Sequence, residues 1–329
     1  MQRRQLFRQL SRAAATLAWQ QLFMSKASAQ VEVMPWTTST NVFSLGVASG
    51  EPRPDSVVLW TRLAPLPSMA DGGMPPRPVS VIWEVAHDEK FFRVARSGST
   101  LALPERAHAL HLDVEGLAPG REYFYRFIAA GHVSPIGRTR TAPDPASRPA
   151  RLKMALASCQ HYEAGHFTLH REMAEADLDL VLFVGDYIYD TELPGMHRRR
   201  QHPHVFPKAK RDYTLEDYRI HHASYKLDAD LQANHAAHPW LMVWDDHEVV
   251  NDYTGSGSPE LTDKAEFLKV RTAAYRAYYE HLPVSAKRMP NGPAMHLRDR
   301  YEWGQLAELW TLDTRQHRGA HVCHGRHPI

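Results

Sequence analysis

The sequence has few cysteines, no long apolar run and almost no net charge, and each scarcity excludes a class of protein. Its 329 residues include only two cysteines, Cys159 and Cys323. A chain of this length can bury its own core, so a disulfide between them stays open but is not required. Without an apolar run of ~20 residues the chain has no stable membrane span. The formal net charge of +2 gives no signal for nucleic-acid binding.

What is present is the composition of a soluble globular protein, with 43% hydrophobic and 23% charged residues. Histidine is the abundant residue. The chain has 21 histidines, many of them between His161 and His247, and neutral imidazole is a common metal ligand. Most of these histidines are nevertheless expected in solvated loops.

The first 29 residues carry the features of an export signal in the right order. A twin arginine, Arg3-Arg4, precedes a short and weakly apolar stretch at residues 13–24, and Ala27-Ser28-Ala29 has the pattern of a signal-peptidase site. The alternative is a basic amphipathic helix at the N-terminus. We favour the signal, which predicts that residues 1–29 engage the twin-arginine export machinery. The protein is then expected to be periplasmic or secreted.

Residues 42–141 have the texture of an all-β domain. Turn signals separate short apolar or alternating runs at residues 57–63, 79–85, 111–114 and 122–127, and no helical stretch interrupts them. This pattern predicts an antiparallel β-sandwich of the immunoglobulin or fibronectin type. The segment carries no catalytic constellation, and the Pro-rich residues 142–150 that follow it predict a linker.

From residue 151 to residue 329 the pattern changes to α/β. Helical stretches are predicted at about residues 166–176, 215–234 and 263–281, and apolar runs predict four strands at 152–157, 180–184, 240–244 and 306–312. Strand–helix–strand units bring the carboxyl ends of their strands to one edge of a parallel sheet. Active sites of such sheets lie beyond that edge.

Residues of metal-ligand type follow the first three of these strands. They are Cys159 after the first, Asp186 and Tyr189 after the second, and Asp246, His247 and Asn251 after the third. A carboxylate can bridge two cations through its two oxygens. Thiolate and phenolate ligands on one centre favour a strongly Lewis-acidic transition metal such as ferric iron, whereas Asp246 and Asn251 offer oxygen ligands suited to calcium, magnesium or manganese.

Such a cluster suits displacement at phosphorus. Two cations ~3.5–4 Å apart lower the pKa of bound water and offset the charge that develops in an in-line displacement. His247 is the expected catalytic residue, because an imidazole beside the cluster can hydrogen-bond the phosphate or protonate the leaving group.

Each candidate also has an ordinary structural interpretation. Cys159 can be a small buried hydrophobe, Asp186 a helix cap, Tyr189 a core residue, and the pair Asp245-Asp246 a solvated turn. The metal site is favoured because consecutive strands end in such residues at one sheet edge. By contrast, three further sites are expected to be solvated loop residues: Glu163, Asp190 and the arginines 198–200.

The strand ends resemble those of the PhoD-like alkaline phosphatases, within the calcineurin-like metallophosphoesterases. The resemblance is carried by Ala157-Ser158-Cys159-Gln160, Val184-Gly185-Asp186-Tyr187-Ile188-Tyr189 and Trp244-Asp245-Asp246-His247-Glu248. It implies a metallophosphoesterase domain after the sandwich and a mixed iron and calcium site. In that site Cys159, Asp186 and Tyr189 hold iron, and Asp186 and Asp246 reach calcium. The implied reaction is hydrolysis of phosphomonoesters and phosphodiesters outside the cytoplasm.

The resemblance also implies that the catalytic domain is incomplete. In the family this domain continues past the Asp313-Thr314-Arg315-Gln316 segment, whereas residues 319–329 no longer resemble it. A C-terminal truncation predicts an unpaired sheet edge, an exposed apolar face and impaired turnover. The alternative function is that of an inactive remnant, acting at most as a binding module.

Overall fold

The computed structural model describes residues 36–320. The predicted export signal, Cys323 and the histidines at 321, 324 and 327 lie outside the described residues. Within residues 36–320, no helix is long and apolar enough to cross a membrane.

Thirteen strands and four α-helices make up the regular structure of residues 36–320. The strands are β1 Val47–Gly50, β2 Ser56–Arg62, β3 Val79–Ala86, β4 Val94–Ala102, β5 Ala109–Glu115, β6 Glu122–Ala129, β7 His132–Val133, β8 Gly137–Arg140, β9 Met154–Ala157, β10 Leu180–Val184, β11 Pro239–Val243, β12 Asp299–Trp303 and β13 Ala307–Thr311. The helices are α1 Leu169–Glu175, α2 Leu215–Lys226, α3 Ala229–Ala237 and α4 Lys264–His281.

A six-stranded mixed sheet spans the predicted linker. Its strand order is β5-β2-β1-β11-β10-β9, so three strands come from each side of residues 142–150. The junction is a parallel pairing of β1 with β11, in which Ser49 lies opposite Pro239 and Gly50 opposite Trp240. The two predicted domains therefore share a sheet, and their division at residue 150 stays a prediction.

A second antiparallel sheet faces the N-terminal half of the first. It has the order β4-β3-β6-β7, with β8 paired to β6. One apolar cluster contains residues of both sheets, including Val57 and Leu59 of β2, Val81 of β3, and Tyr125 and Phe127 of β6. This is the layering of a β-sandwich. Its assignment to the immunoglobulin or fibronectin type stays a prediction.

The C-terminal part of the large sheet is parallel, as the βαβ pattern predicts. β10 pairs with β9 on one side and with β11 on the other. Its core side packs on aromatic residues of the helices, and the Trp244 ring stacks on Tyr275 of α4 with centroids 4.1 Å apart. The long helix predicted at residues 215–234 is two helices. The first ends at Lys226, and Asp228 caps the second by accepting hydrogen bonds from the backbone N–H groups of Asp230 and Leu231.

The fourth predicted strand does not extend the parallel sheet. β13 instead pairs with β12 in a separate antiparallel hairpin. Half-buried and exposed residues alternate along Ala307–Thr311, as in a two-faced antiparallel strand.

One edge of the large sheet is uncovered among the described residues. No described strand pairs with the outer side of β9, and Met154, Leu156 and Val184 are 45%, 70% and 44% exposed. Within residues 36–320, the β9 edge is thus unpaired and its face exposes apolar side chains, while the truncation of the catalytic domain stays a prediction. An unpaired strand edge next to exposed apolar side chains is a surface that favours association with another protein chain.

Candidate metal centre

The loops after β9 and β10 are joined by backbone hydrogen bonds. The N–H of Cys159 donates to the carbonyl of Gly185, and the N–H of Gln160 donates to that of Asp186, both at 3.1 Å. Cys159 and Asp186 adopt positive φ angles of 58° and 55°. Non-glycine residues rarely occupy this left-handed region, and such residues cluster at functional sites. The two turns thus place the Cys159 and Asp186 side chains next to each other.

Gly185 is required by a close approach of the β10 and β11 ends. A Cβ at this position would lie 2.4 Å from the backbone nitrogen of Asp245, and φ is +110°. Only glycine adopts this conformation without strain. The Gly-Asp step of the sequence therefore has a physical reason, because it brings Asp186 against the turn that carries Asp246.

Asp186 is the point on which the candidate ligands converge. One carboxylate oxygen, Oδ2, accepts from the Cys159 thiol at 3.4 Å and from the Tyr189 hydroxyl at 3.0 Å. The other oxygen, Oδ1, accepts from the backbone N–H of His247 at 3.4 Å. Ligand atoms of Asp186, Asp246 and His247 lie within 4.8 Å of one another. The three predicted strand ends are thus brought together.

Arg315 holds the two aspartates of the third strand end. Its Nη2 donates to Asp246 Oδ1 at 2.9 Å and its Nε donates to Asp245 Oδ1 at 2.5 Å. Asp246 Oδ2 accepts from the backbone N–H of Asp252 at 2.6 Å. Burial raises the pKa of Asp246. Burial acts in the same direction on Asp245, but the hydrogen bond and charge of Arg315 outweigh it and lower the pKa of that carboxyl.

The donor set fits a cation. Burial and the negative charge of Asp186 raise the pKa values of the Cys159 thiol and the Tyr189 phenol, since three potential anions meet without a compensating charge. A bound cation supplies that charge and favours the thiolate and phenolate forms, which are the forms that coordinate metals. Sulfur, phenolic oxygen and carboxylate together match a transition metal better than magnesium.

His247 is held by a residue that the sequence analysis places in a solvated loop. Its Nδ1 lies 2.7 Å from Asp190 Oδ1, and its ring stacks on Tyr189 with centroids 4.3 Å apart. Burial alone would lower the pKa of His247, but the hydrogen bond to Asp190 and the negative charges of Asp190, Asp246 and Asp186 together outweigh burial and raise it. Lys210 Nζ donates to the other oxygen of Asp190 at 2.6 Å.

The prediction of solvated loop residues is therefore wrong for two carboxylates and for Arg200, whose side chain is 13% exposed and pairs with Asp228. Asp190 and Glu163 are 5% and 2% exposed. Glu163 accepts from the backbone N–H of Leu193 and pairs with Arg198, while Arg199 is exposed as expected. The loop at residues 191–213 folds back over these carboxylates, and its charged residues pair with them.

The Glu248 side chain links the turns that follow β10 and β11. Its two carboxylate oxygens accept from the backbone N–H of Tyr187 at 2.6 Å and from that of Asp245 at 2.9 Å. Burial, with the charge of Asp186, raises its pKa to about 8. Glu248 thus fixes the position of the turns that present Asp186 and Asp246.

Asn251 lies in the same loop but contacts other residues. Its backbone N–H donates to Asp190 Oδ2 at 3.4 Å, and its side-chain amide donates to Asp252 Oδ2 at 3.3 Å. Its role as a metal ligand stays a prediction.

Comparison with known proteins finds matches to one protein family along most of the chain. A family model described as PhoD-like phosphatase matches residues 154–328, and one described as PhoD-like phosphatase, N-terminal domain matches residues 26–143. The alkaline phosphatase D of Bacillus subtilis (strain 168) is 46% identical over 281 residues, which are 85% of this chain and 48% of that protein.

A solved structure described as "Structure of PhoD" is 44% identical and superposes with a TM-score of 0.82 over 87% of this chain and 54% of that one. The fold of residues 36–320 is therefore that of this structure. The chain spans about half the length of the relatives it matches.

Proposed function

The chain belongs to the PhoD-like phosphatase family, and we propose that it hydrolyses phosphomonoesters and phosphodiesters at the candidate metal centre. The observation that carries the proposal is the convergence of Cys159, Tyr189 and His247 on the single carboxylate of Asp186. A thiol, a phenol and a carboxylate that meet at one sheet edge form a donor set that a cation can join once the thiol and the phenol lose their protons.

In this proposal the strand ends hold iron and calcium. Cys159, Asp186 and Tyr189 hold the iron, and Asp186, Asp246 and Asn251 hold the calcium. When bound, these cations supply the positive charge that activates water and offsets the charge of the phosphoryl group. Arg315 keeps Asp246 oriented, and its paired contact with Asp245 prevents rotation of the turn.

His247 supplies the proton in the proposed reaction. Asp190 accepts from Nδ1–H, which fixes the ring and leaves Nε2 as the nitrogen free to protonate the leaving oxygen. The hydrogen bond and charge of the same carboxylate act to raise the pKa of His247, so the ring keeps its proton to a higher pH than an ordinary histidine does. Stacking on Tyr189 orients the ring across the candidate cluster.

Two further parts of the proposal concern the whole protein. The twin-arginine pattern supports export before the enzyme acts, outside the cytoplasm. The layered sheets support an N-terminal sandwich followed by a metallophosphoesterase domain that, within residues 36–320, leaves the β9 edge uncovered.

The proposal is tested by hydrolysis and metal content measured together. Purified protein is assayed with p-nitrophenyl phosphate and bis(p-nitrophenyl) phosphate, and bound iron and calcium are measured on the same samples. Asp186→Asn and Cys159→Ala are expected to lose bound iron and at least about 100-fold in kcat/KM, because even residues that only support metal ligands cost 10–100-fold. Asp177→Asn, at an exposed aspartate before the amino end of β10, is the matched control and is expected to match wild type.

Two outcomes contradict the proposal. Full activity and full metal content in Asp186→Asn would place the chemistry elsewhere. Metal-loaded wild type without turnover of either ester would instead favour a chain that only binds.

A further inference from the structure

A buried chain of hydrogen bonds leads from His247 into the loop at residues 191–213. His247 Nδ1 lies 2.7 Å from Asp190 Oδ1, and the second oxygen of that carboxylate, Oδ2, accepts from Lys210 Nζ at 2.6 Å. The Asp190 side chain is fully buried, and 9% of the Lys210 side chain is exposed. The proposed proton donor is therefore connected to a lysine that lies outside the strand ends.

Lys210 is a cation whose charge is offset inside the protein. Burial alone would lower the pKa of Lys210, but the charge and hydrogen bond of Asp190, together with Tyr213, outweigh burial and raise it. The ammonium nitrogen also lies 3.8 Å from Glu260 Oε2. Because two carboxylates offset its charge, this lysine attracts a phosphate anion less than a free lysine does.

The hydrogen bond from Lys210 fixes the far side of the Asp190 carboxylate. Among residues 36–320, Oδ2 has one other donor, the backbone N–H of Asn251 at 3.4 Å, which is long for a hydrogen bond. A carboxylate held at both oxygens by charge-assisted hydrogen bonds has little freedom to rotate. Without the ammonium, Oδ2 keeps only the long contact. The freedom that the carboxylate then gains reaches the His247 ring through Oδ1.

Other contacts hold the loop that carries Lys210. Arg198 Nε lies 3.1 Å from an oxygen of the buried Glu163, and Arg200 Nη1 donates to Asp228 Oδ2 at 3.0 Å. These pairs do not involve the lysine. Loss of the ammonium should therefore leave the loop in place and act mainly on the carboxylate that it holds.

We propose that Lys210 is a positioning residue of the proposed reaction, which fixes the Asp190 carboxylate and, through it, the His247 ring. The inference rests on the proposed function, in which His247 Nε2 protonates the leaving oxygen. The role is geometric, and no proton is transferred at Lys210. A lysine that binds the phosphoryl group, or one that only stabilises the fold, would behave differently in the experiments below.

The first arm of the test compares two leaving groups. Phenyl phosphate releases a basic oxygen that needs a proton, whereas p-nitrophenolate leaves with little help from an acid. Lys210→Met is expected to lower kcat for phenyl phosphate about 10- to 100-fold, part of the about 10²–10⁴-fold that general acid catalysis supplies. The loss for p-nitrophenyl phosphate should be much smaller. An equal loss for both esters, or a raised KM with unchanged kcat, overturns the proposal.

Two further variants control for size and charge. Lys210→Arg keeps a cation and is expected to recover part of the lost kcat. Arg211→Met, at the exposed neighbouring position, is the matched control and should behave as wild type. A Lys210→Arg variant that melts like the wild type but recovers no kcat overturns the proposal.

A double variant tests whether the effect passes through Asp190. In an Asp190→Asn background, Lys210→Met is expected to change kcat by less than about 2-fold, because the carboxylate that the lysine holds is absent. The double variant buries no unpaired charge, so it avoids the main cause of misfolding in Lys210→Met. A loss of kcat in this background as large as in the wild type shows another route and overturns the proposal.

The second arm measures the position of the ring without turnover. Iron-free protein labelled with ¹⁵N-histidine is followed by NMR, and the Nδ1 proton of His247 is identified by its loss in His247→Gln. Lys210→Met is expected to exchange this proton with water about 10-fold faster than wild type, because a weakened hydrogen bond opens more often. Unchanged exchange overturns the proposal. If the protein hydrolyses no ester, the proposed function fails, while this exchange still decides whether Lys210 holds the ring.

Discussion

Replacing Lys226 by methionine should stabilise the protein. This lysine on α2 is 1% exposed, and its ammonium nitrogen has no hydrogen-bond partner. It faces aromatic rings, with Nζ 4.3 Å from the centre of the Trp60 ring and 5.8 Å from that of Tyr187. Burial lowers the pKa of Lys226 well below its ordinary value and thus favours the neutral amine in the folded protein.

The magnitudes favour the neutral form. A cation–π contact is worth about 0.5–2 kcal/mol, whereas the effective cost of burying a charge is several kcal/mol per ion. The neutral amine still lacks a partner, and a buried polar group in that state costs about 1–3 kcal/mol. Lys226→Met is therefore expected to raise the free energy of unfolding by about 1–3 kcal/mol at a pH above the ordinary lysine pKa. At such a pH the amine is neutral in both the folded and the unfolded protein, so protonation does not contribute to the difference.

The gain should grow as the pH falls. Below pH 10.5, the ordinary value, the unfolded chain binds a proton at Lys226 that the folded protein does not. Stability of the wild type therefore falls with decreasing pH by about 1.4 kcal/mol per unit from this group. This loss of stability stops only when the pH is below the pKa of Lys226 in the folded protein. The methionine variant has no ionisable group at this position and does not show the loss.

Urea unfolding followed by tryptophan fluorescence at several pH values between 6 and 9 measures the effect. Lys269→Met, at an exposed position of α4, is the control and should change neither stability nor its pH dependence. If Lys226→Met destabilises the protein by the same amount at every pH, the lysine is charged and paired inside the fold, and the reasoning is refuted.

Three other substitutions test the site and the sheet. Arg315→Met should lower metal affinity and kcat/KM about 10- to 100-fold, because Asp246 is no longer held in place; metal titration and hydrolysis assays measure both. An unchanged affinity would contradict the role given to the hydrogen bonds from Arg315 to Asp245 and Asp246. Gly185→Ala should destabilise the fold by more than ~1 kcal/mol, because its Cβ meets the Asp245 backbone; an unchanged melting temperature would show that the strand ends separate easily. Leu156→Lys should reduce binding of a hydrophobic dye and aggregation while changing stability by less than ~0.5 kcal/mol; an equal dye signal would mean that the β9 face is covered.

The strand ends could be predicted because their signals are local. β10 and β11 are continuous apolar runs, and each is followed at once by the residues that enter the site. A parallel sheet places such ends together whatever the rest of the fold does, so the meeting of Cys159, Asp186 and Asp246 required only the order of strands.

The partners of those residues could not be predicted, because they come from distant segments. Arg315 reaches Asp246 across 69 residues, and the pattern Asp313-Thr314-Arg315 alone does not show where the side chain points. Asp190 has a weaker signal: it lies four residues after Asp186, one helical turn away in spacing. Its burial depends on Lys210 folding back from a loop without regular strand or helix pattern.

The sheet that contains strands from both sides of residues 142–150 also could not be predicted from the sequence. β1 is a four-residue strand, Val47–Gly50, whose pairing with β11 spans 190 residues in the register Ser49 to Pro239. The Pro-rich segment suggested a break between domains, but backbone hydrogen bonding is set by tertiary contacts that composition does not encode.

The most direct test of the central claim is X-ray absorption at the iron edge of the purified protein. If Cys159 and Asp186 hold one cation, the wild type shows a sulfur atom in the first coordination shell of iron, and Cys159→Ala shows only oxygen and nitrogen. A wild-type spectrum without sulfur, or one that Cys159→Ala leaves unchanged, would contradict the account.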